Sequence, residues 1–300
     1  IEILEEGEKV KTKNGFVLLE NKEDVRKWLN SQKVTRTINK LQVHHMDLPN
    51  YSTWEKTDKK VFDNPYFGRT QSLNDYGKRT WNYSDGHGKY IAQHFNVFPD
   101  GKITTGRHLN SKPIGIRGWN DSALCIEIFG NFDKGHDVMT SAQKKAVIYL
   151  YGELCKRFKI PVDNKHIRPH CHFTAGGTYL GKYDSSRSAK TCPGTNFWGV
   201  GCSPSGFNKF LADIKAYVNG KGTQSPSGSS EFKPYIARVN TDGLNARKGA
   251  GVGYDIECVL NKGVAITIIE EKKAKDGGTW CKALSKYWCN KKYLDFVRYK

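Results

Sequence analysis

The sequence predicts an α/β domain on a central mixed β-sheet flanked by helices, followed by a small all-β barrel. Strand-like and helix-like patterns alternate through residue 218, the mark of helices packed on a sheet. From residue 233 only short strands remain, punctuated by turns, as in small barrels. Between them, Asn219 to Ser230 reads NGKGTQSPSGSS, a Gly/Ser-rich stretch with the composition of a flexible linker. The expected boundaries are residues 1–218, a linker at 219–232, and residues 233–300. A chain of 300 residues exceeds the usual size of one domain, which agrees.

In chain order, residues 23–30 (EDVRKWLN) have the pattern of a short amphipathic helix. Leu41-Gln42-Val43-His44 reads as a strand ending in histidines. Ile91 to Val97 and Lys102 to Thr105 flank Pro99-Asp100-Gly101, a hairpin signal with glycine where a positive φ is expected. Ala123 to Phe129 (ALCIEIF) is an apolar run broken only by Glu127, which suits a buried central strand. Residues 141–158 form the clearest helix, with Thr140 as N-cap and apolar residues recurring at three and four. A last helix is expected over Phe207 to Val218. Beyond the linker, strands are expected at 235–239, 265–270, 280–284 and 293–297, with turns at Asp242-Gly243 and Asp276-Gly277-Gly278.

A net charge of +18 draws a protein to polyanions. Residues 233–300 hold 14 Lys+Arg against 7 Asp+Glu, so the excess is shared between both ends of the chain. Nucleic acid, an anionic membrane surface and a teichoic-acid-rich wall all fit such a charge. No run approaches the length of a membrane span. Ile1 to Lys13 is charged and lacks the apolar stretch of a secretory signal, so a cytoplasmic start is the expectation. The eight cysteines form no paired CxxC motif and are expected as buried reduced thiols.

Three positions stand out together: His44 at a strand end, His170 in RPHCHF and Cys192 in AKTCPG. Two imidazoles and a thiolate suit Zn²⁺, and three protein ligands leave a position open for water, as in catalytic sites. Taken singly, a histidine is more often a satisfied core or surface residue, and a cysteine a small buried hydrophobe. Spacing alone does not decide between these readings.

The segments VHHMD, HFNVFPDGKITTGR, NDSALCIEIFGNFD and a histidine separated by 21 residues from CPGTNF occur in that order. With them the sequence resembles zinc-dependent N-acetylmuramoyl-L-alanine amidases of the type-2 class, which include phage endolysins and share a fold with peptidoglycan recognition proteins. The resemblance runs from about Val34 to Trp198 and is strongest toward clostridial phage endolysins. It implies that His44, His170 and Cys192 are the zinc ligands, and that His45 and His172 are structural neighbours. Glu127 matches the catalytic glutamate, and Lys190 the lysine that stabilises the oxyanion. Cys192 favours an enzyme, because recognition proteins that only bind have typically lost this cysteine. In two respects the chain departs from the family. Gln93 stands where some short phage amidases carry a catalytic tyrosine, and an amide cannot carry a proton in its place. The stretch between His170 and Cys192 is also long, with residues 173–190 expected as a loop beside the cleft.

Residues 233–300 resemble a bacterial SH3-like domain through VNTDGLNARKGAGVGYDIECVLNKGVAITIIEE, GGTWCKAL and KYLDFV. The resemblance implies tethering to the wall, with exposed Tyr and Trp as apolar platforms; a spacer or oligomerisation module is the alternative for so versatile a fold. The function expected from the whole is cleavage of the amide between N-acetylmuramic acid and L-alanine by a phage endolysin, held in the host cytoplasm until lysis. A bacterial autolysin, which would act outside the cell, and a non-catalytic recognition protein are the alternatives. Peptidoglycan is the expected partner, with anionic wall polymers a further one that the charge allows. Nucleic acid is not expected, since no recognition helix or aromatic RNA-binding signature is present.

Overall fold

The computed structural model describes residues 10–220, 234–274 and 277–299. Two compact units divide the chain, residues 1–223 and 224–300. Most of the expected linker, from residue 221 onward, lies outside the described residues, as do Asp276 of the expected turn and the first nine residues.

The first unit is a mixed sheet of seven strands: β1 (Thr12–Lys13), β2 (Phe16–Leu19), β3 (Lys40–His45), β4 (Phe95–Val97), β5 (Ile103–Thr105), β6 (Ala123–Ile128) and β7 (Ile167–Pro169). Their order is β1-β2-β5-β4-β6-β3-β7. β6 lies inside the sheet, parallel to β3 on one side and to β4 on the other. Successive side chains of a strand face opposite ways, and here the alternation separates core from site. Leu41, Val43, Leu124, Ile126 and Ile128 enter one large apolar cluster, while Gln42, His44, Cys125 and Glu127 occupy the alternate positions.

Helices α1 (Lys22–Ser31), α3 (Ser141–Phe158) and α4 (Pro204–Val218) supply that cluster with Val25, Leu29, Val147, Leu150, Leu154, Phe207 and Phe210. The Thr140 hydroxyl caps α3 by accepting from the Gln143 N–H, a contact worth about 1 kcal/mol in such positions. The last helix starts three residues before its expected onset, because Ser203 caps it and Pro204 fits the first turn, where no N–H is needed. The hairpin strands are shorter than expected. Regular pairing is lost before Gln93: the Tyr90 and Ile91 N–H groups go to Asn74 Oδ1, and Arg107 takes the Ile91 carbonyl. The turn itself is as expected, with Gly101 at φ +88°.

Helix α2 (Pro65–Thr80) had no counterpart in the sequence reading. Asn64 caps it and Pro65 opens it. It packs by its small residues: a Cβ on Gly77 would stand 2.3 Å from the Tyr90 carbonyl oxygen, and one on Gly68 2.2 Å from the Phe62 ring. Ahead of it, Tyr51–Thr53, Trp54–Asp58 and Lys59–Val61 form consecutive helical turns around the buried Trp54. Asp58 is fully buried there and paired with Arg69 of α2, which pins the helix to the preceding turns. Among the described residues no helix is long and apolar enough to cross a membrane.

The second unit is a seven-stranded antiparallel sheet: β8 (Tyr235–Val239), β9 (Leu244–Arg247), β10 (Ile256–Leu260), β11 (Ala265–Lys273), β12 (Thr279–Ala283), β13 (Trp288–Asn290) and β14 (Leu294–Tyr299), ordered β10-β9-β13-β12-β11-β8-β14. Its core holds Tyr235, Val239, Leu244, Ile268, Cys281 and Cys289. Both tryptophans of the unit, Trp280 and Trp288, are buried, so they are not surface platforms; among the described residues Tyr254, Tyr293, Phe296 and Tyr299 are the exposed aromatics. All eight cysteines are free, and all but the half-exposed Cys258 are buried.

Candidate metal centre and catalytic cleft

His44, His170 and Cys192 come from three separate parts of the chain, yet their ligand atoms lie within 4.8 Å of one another. Three local arrangements bring this about. β3 carries His44 on its polar face. His170 follows directly on β7, the strand beside β3. Cys192 arrives on a loop clamped to the segment after β6: Asp133 accepts from Thr191 Oγ1 and the Thr195 N–H, and the Asn196 N–H donates to the Phe132 carbonyl. The Cys171 N–H then donates to the Cys192 carbonyl and ties the loop to the His170 turn.

The donor set fits a tetrahedral zinc ion. Nδ1 of His44 is 3.6 Å from Sγ of Cys192. Nitrogen and sulfur ligands at about 2.0–2.1 Å and about 2.3 Å from one tetrahedral ion stand roughly 3.6 Å apart. Burial and the neighbouring Glu127 carboxyl push the Cys192 thiol well up, with the His45 N–H pulling the other way. A cation among these three groups would hold it as thiolate. Burial, and then Lys190, lowers His170 to about 4; burial and His170 lower His44 well below its ordinary value. Both imidazoles are therefore neutral, the form that ligates metal.

The tautomer of His44 follows from its neighbours. Gln42 donates its amide hydrogens to the Trp119 carbonyl and to Asn120 Oδ1, so its Oε1 is the acceptor. That oxygen receives the Ile116 N–H and faces His44 Nε2 at 3.3 Å. His44 thus carries its proton on Nε2 and turns the Nδ1 lone pair toward His170 and Cys192. Such outer partners orient ligands in metal sites. The sequence reading passed over Gln42, although its place two residues before His44 puts both on one strand face. Gly115 is the other missed residue, since its lack of a side chain lets the chain close over Gln42 and His44.

Glu127 lies beside His44 in register on the parallel pair, and Asn96 flanks it in register on the other side. Its Oε1 is 3.8 Å from His44 Nδ1, while Oε2 is buried without a hydrogen-bond partner. Burial raises this carboxyl to about 8, against the pull of the Lys190 ammonium. A carboxyl poised near neutrality both accepts and returns protons.

His45 and His172 do not join the group. His45 Nδ1 accepts from the Phe132 N–H, and His172 Nε2 donates to the Cys202 carbonyl. A cleft of about 1000 Å³ runs from His170, Lys190 and Cys192 past Glu127 and Gln93 to Arg69, Tyr76 and Arg79 of α2. Of the long segment 173–190, only Lys190 lines it.

The sequence profile of the N-acetylmuramoyl-L-alanine amidase family matches residues 34–195. Among solved structures, the endolysin amidase LysCS of Clostridium intestinale is 22% identical, with 60% of this chain and 85% of that chain covered at a TM-score of 0.37. The N-acetylmuramoyl-L-alanine amidase LysC of the same organism is 20% identical, covering 62% and 91% at 0.38. Drosophila PGRP-LB is 16% identical, covering 56% and 86% at 0.36. No curated protein sequence matches.

Proposed function

The chain belongs to the N-acetylmuramoyl-L-alanine amidase family, and from that premise we propose that it is a zinc-dependent peptidoglycan amidase. The observation that carries this reading is the convergence of His44, His170 and Cys192 in the cleft, with the half-buried Glu127 on the neighbouring strand. His44, His170 and Cys192 would hold the ion. Bound there, zinc supplies a Lewis acid that polarises a carbonyl and lowers the pKa of water to about 7. Glu127 takes a proton from the attacking water and returns it to the departing L-alanine nitrogen. Lys190, at the cleft rim, offers positive charge to the oxygen of the tetrahedral intermediate. The lactyl carboxyl of muramic acid and a free alanine amine are the products.

Wall lysis by a phage endolysin is the biological setting we propose, supported by the motifs shared with clostridial phage enzymes. For residues 233–300 we propose an SH3-like wall-binding module, supported by the SH3-like motifs in its sequence and by its short antiparallel strands. Digestion of purified walls tests the activity. New L-alanine amino termini, intact glycan chains and abolition by a chelator are expected. A glycosidase would need a second carboxylate across a sugar bond and would release reducing ends; reducing ends without new amines would overturn the proposal.

A further inference from the structure

A buried chain of hydrogen bonds leads from helix α2 to the cleft, and its direction is determined at every step. Thr70 Oγ1 donates to the Tyr66 carbonyl at 2.8 Å, so it must accept from Thr104 Oγ1, 2.7 Å away. With its proton committed, Thr104 accepts from Asn96 Nδ2 at 3.1 Å. Asn96 Oδ1 is thereby an acceptor and receives Gln93 Nε2. Side-chain amide orientations are assigned from their networks, and a carbonyl acceptor at one end leaves this network a single solution. Gln93 is only 5% exposed and lines the cleft. Its Nε2 points into the sheet, and its Oε1 has no hydrogen-bond partner among the described residues.

The strand order β4-β6-β3 says which half of a substrate meets that oxygen. The acyl half belongs on the β3 side of Glu127, with His44, His170, Cys192 and Lys190. The departing amine and its peptide then lie on the β4 side, where Asn96 flanks Glu127 and holds Gln93. Neighbouring strands are about 4.8 Å apart, and successive Cα atoms of a peptide about 3.8 Å. The first peptide bond beyond the scissile one therefore falls within reach of Gln93. That oxygen opens on the cleft, and a peptide N–H is the donor that a stem peptide brings to this side.

We propose that Gln93 positions the substrate by accepting, at Oε1, the N–H of the peptide bond that follows L-alanine. This rests on the amidase reading above. The test compares N-acetylmuramoyl-L-alanine N-methylamide with the corresponding methyl ester, which lacks that N–H and leaves the scissile bond unchanged. In kcat/KM the unaltered zinc-loaded protein prefers the amide by about tenfold, the scale of one hydrogen bond. Gln93→Met removes the acceptor at constant size and brings the preference below about twofold. Thr104→Val touches no substrate but frees Asn96 to rotate, and lowers the preference to about threefold. Melting curves and zinc content verify that each variant folds. Should Gln93→Met not fold, an unchanged preference in Thr104→Val overturns the proposal. A preference retained in Gln93→Met, or absent from the unaltered protein, overturns it as well. Failure of the unaltered protein to release amine from either compound would instead refute the amidase reading.

Discussion

A Cβ on Gly115 would stand 1.9 Å from Oε1 of Gln42 and 3.3 Å from Nε2 of His44. Gln42, the outer partner of the proposed ligand His44, thus packs directly against bare backbone. Gly115→Ala must displace the Gln42 amide, and with it the bond that sets the His44 tautomer. Zinc affinity should fall by about 10–100-fold, the range for outer partners of metal ligands. Competition with a chromogenic chelator measures this; unchanged affinity would mean that Gln42 does not govern His44.

Cys192→Ser should lose zinc and activity together. Serine is a poor ligand at neutral pH, whereas the Cys192 sulfur, which receives the His45 N–H at 3.4 Å, would ligate the proposed ion as thiolate. Metal analysis of the purified variant decides the matter, and full occupancy would remove Cys192 from the ligand set.

Glu127→Gln and Lys190→Ala should keep fold and zinc but lower turnover by about 10²-fold or more, the scale for one acid–base or oxyanion group. Glu127→Gln preserves the shape of the carboxyl and removes only its proton chemistry. Near-normal amine release from that variant would point to another proton carrier.

Stability should decline in mild acid, in part through His94. This imidazole is fully buried, accepts from the Cys125 N–H at Nδ1 and faces the Ser111 carbonyl with Nε2. Burial, with Arg36 adding to it, depresses it to about 3 from an ordinary 6.5. Its folded value lies below its unfolded one, so its contribution is fully present above pH 6.5 and is lost as the pH falls toward 3. The slope approaches about 1.4 kcal/mol per pH unit for one such group. His94→Gln should cost about 1–3 kcal/mol at neutral pH, from the stranded Cys125 N–H, and flatten that slope. Urea midpoints of the two zinc-loaded proteins between pH 7 and 5 give the comparison; parallel slopes would exclude His94.

Deleting residues 231–300 should leave a folded, zinc-binding hydrolase that is retained less well on intact walls. Each unit has a core of its own, and a second binding module raises the effective concentration of the first at a shared surface. Sedimentation with purified walls measures retention, and equal retention would reduce the second unit to a spacer.

Much of this fold was legible because its strands and its longest helix repeat at the periods their elements impose. Leu41 to His44, Ala123 to Ile128 and residues 141–158 lie where the pattern placed them, within a residue or two. Helix α2 was not legible: its buried residues include Thr70, Asn74 and Gly77, so no apolar stripe announces it. Only the Asn64-Pro65 start signal was there to be read. At the site, His44, His170 and Cys192 were singled out as a group and do converge. The residues that orient them, Gln42 and Gly115, act by hydrogen bonding and by absence of bulk, neither of which is visible until distant segments are brought together. The polar chain through Thr70, Thr104 and Asn96 was hidden for the same reason.

The in-register pairing of β3 with β6 means that a single alternation encodes both the hydrophobic core and the chemistry. Sliding β6 by one residue would turn Leu124 and Ile126 toward the cleft and drive Cys125 and Glu127 into the helices. A misregistered sheet would therefore forfeit its core and its chemistry in the same stroke. Burial therefore selects against every odd slip of β6, and keeps Glu127 on the face that carries His44. Preparations of this protein should accordingly hold no long-lived folded fraction in which β6 is slipped by one residue, and active-site titration should count the same molecules as the folded signal.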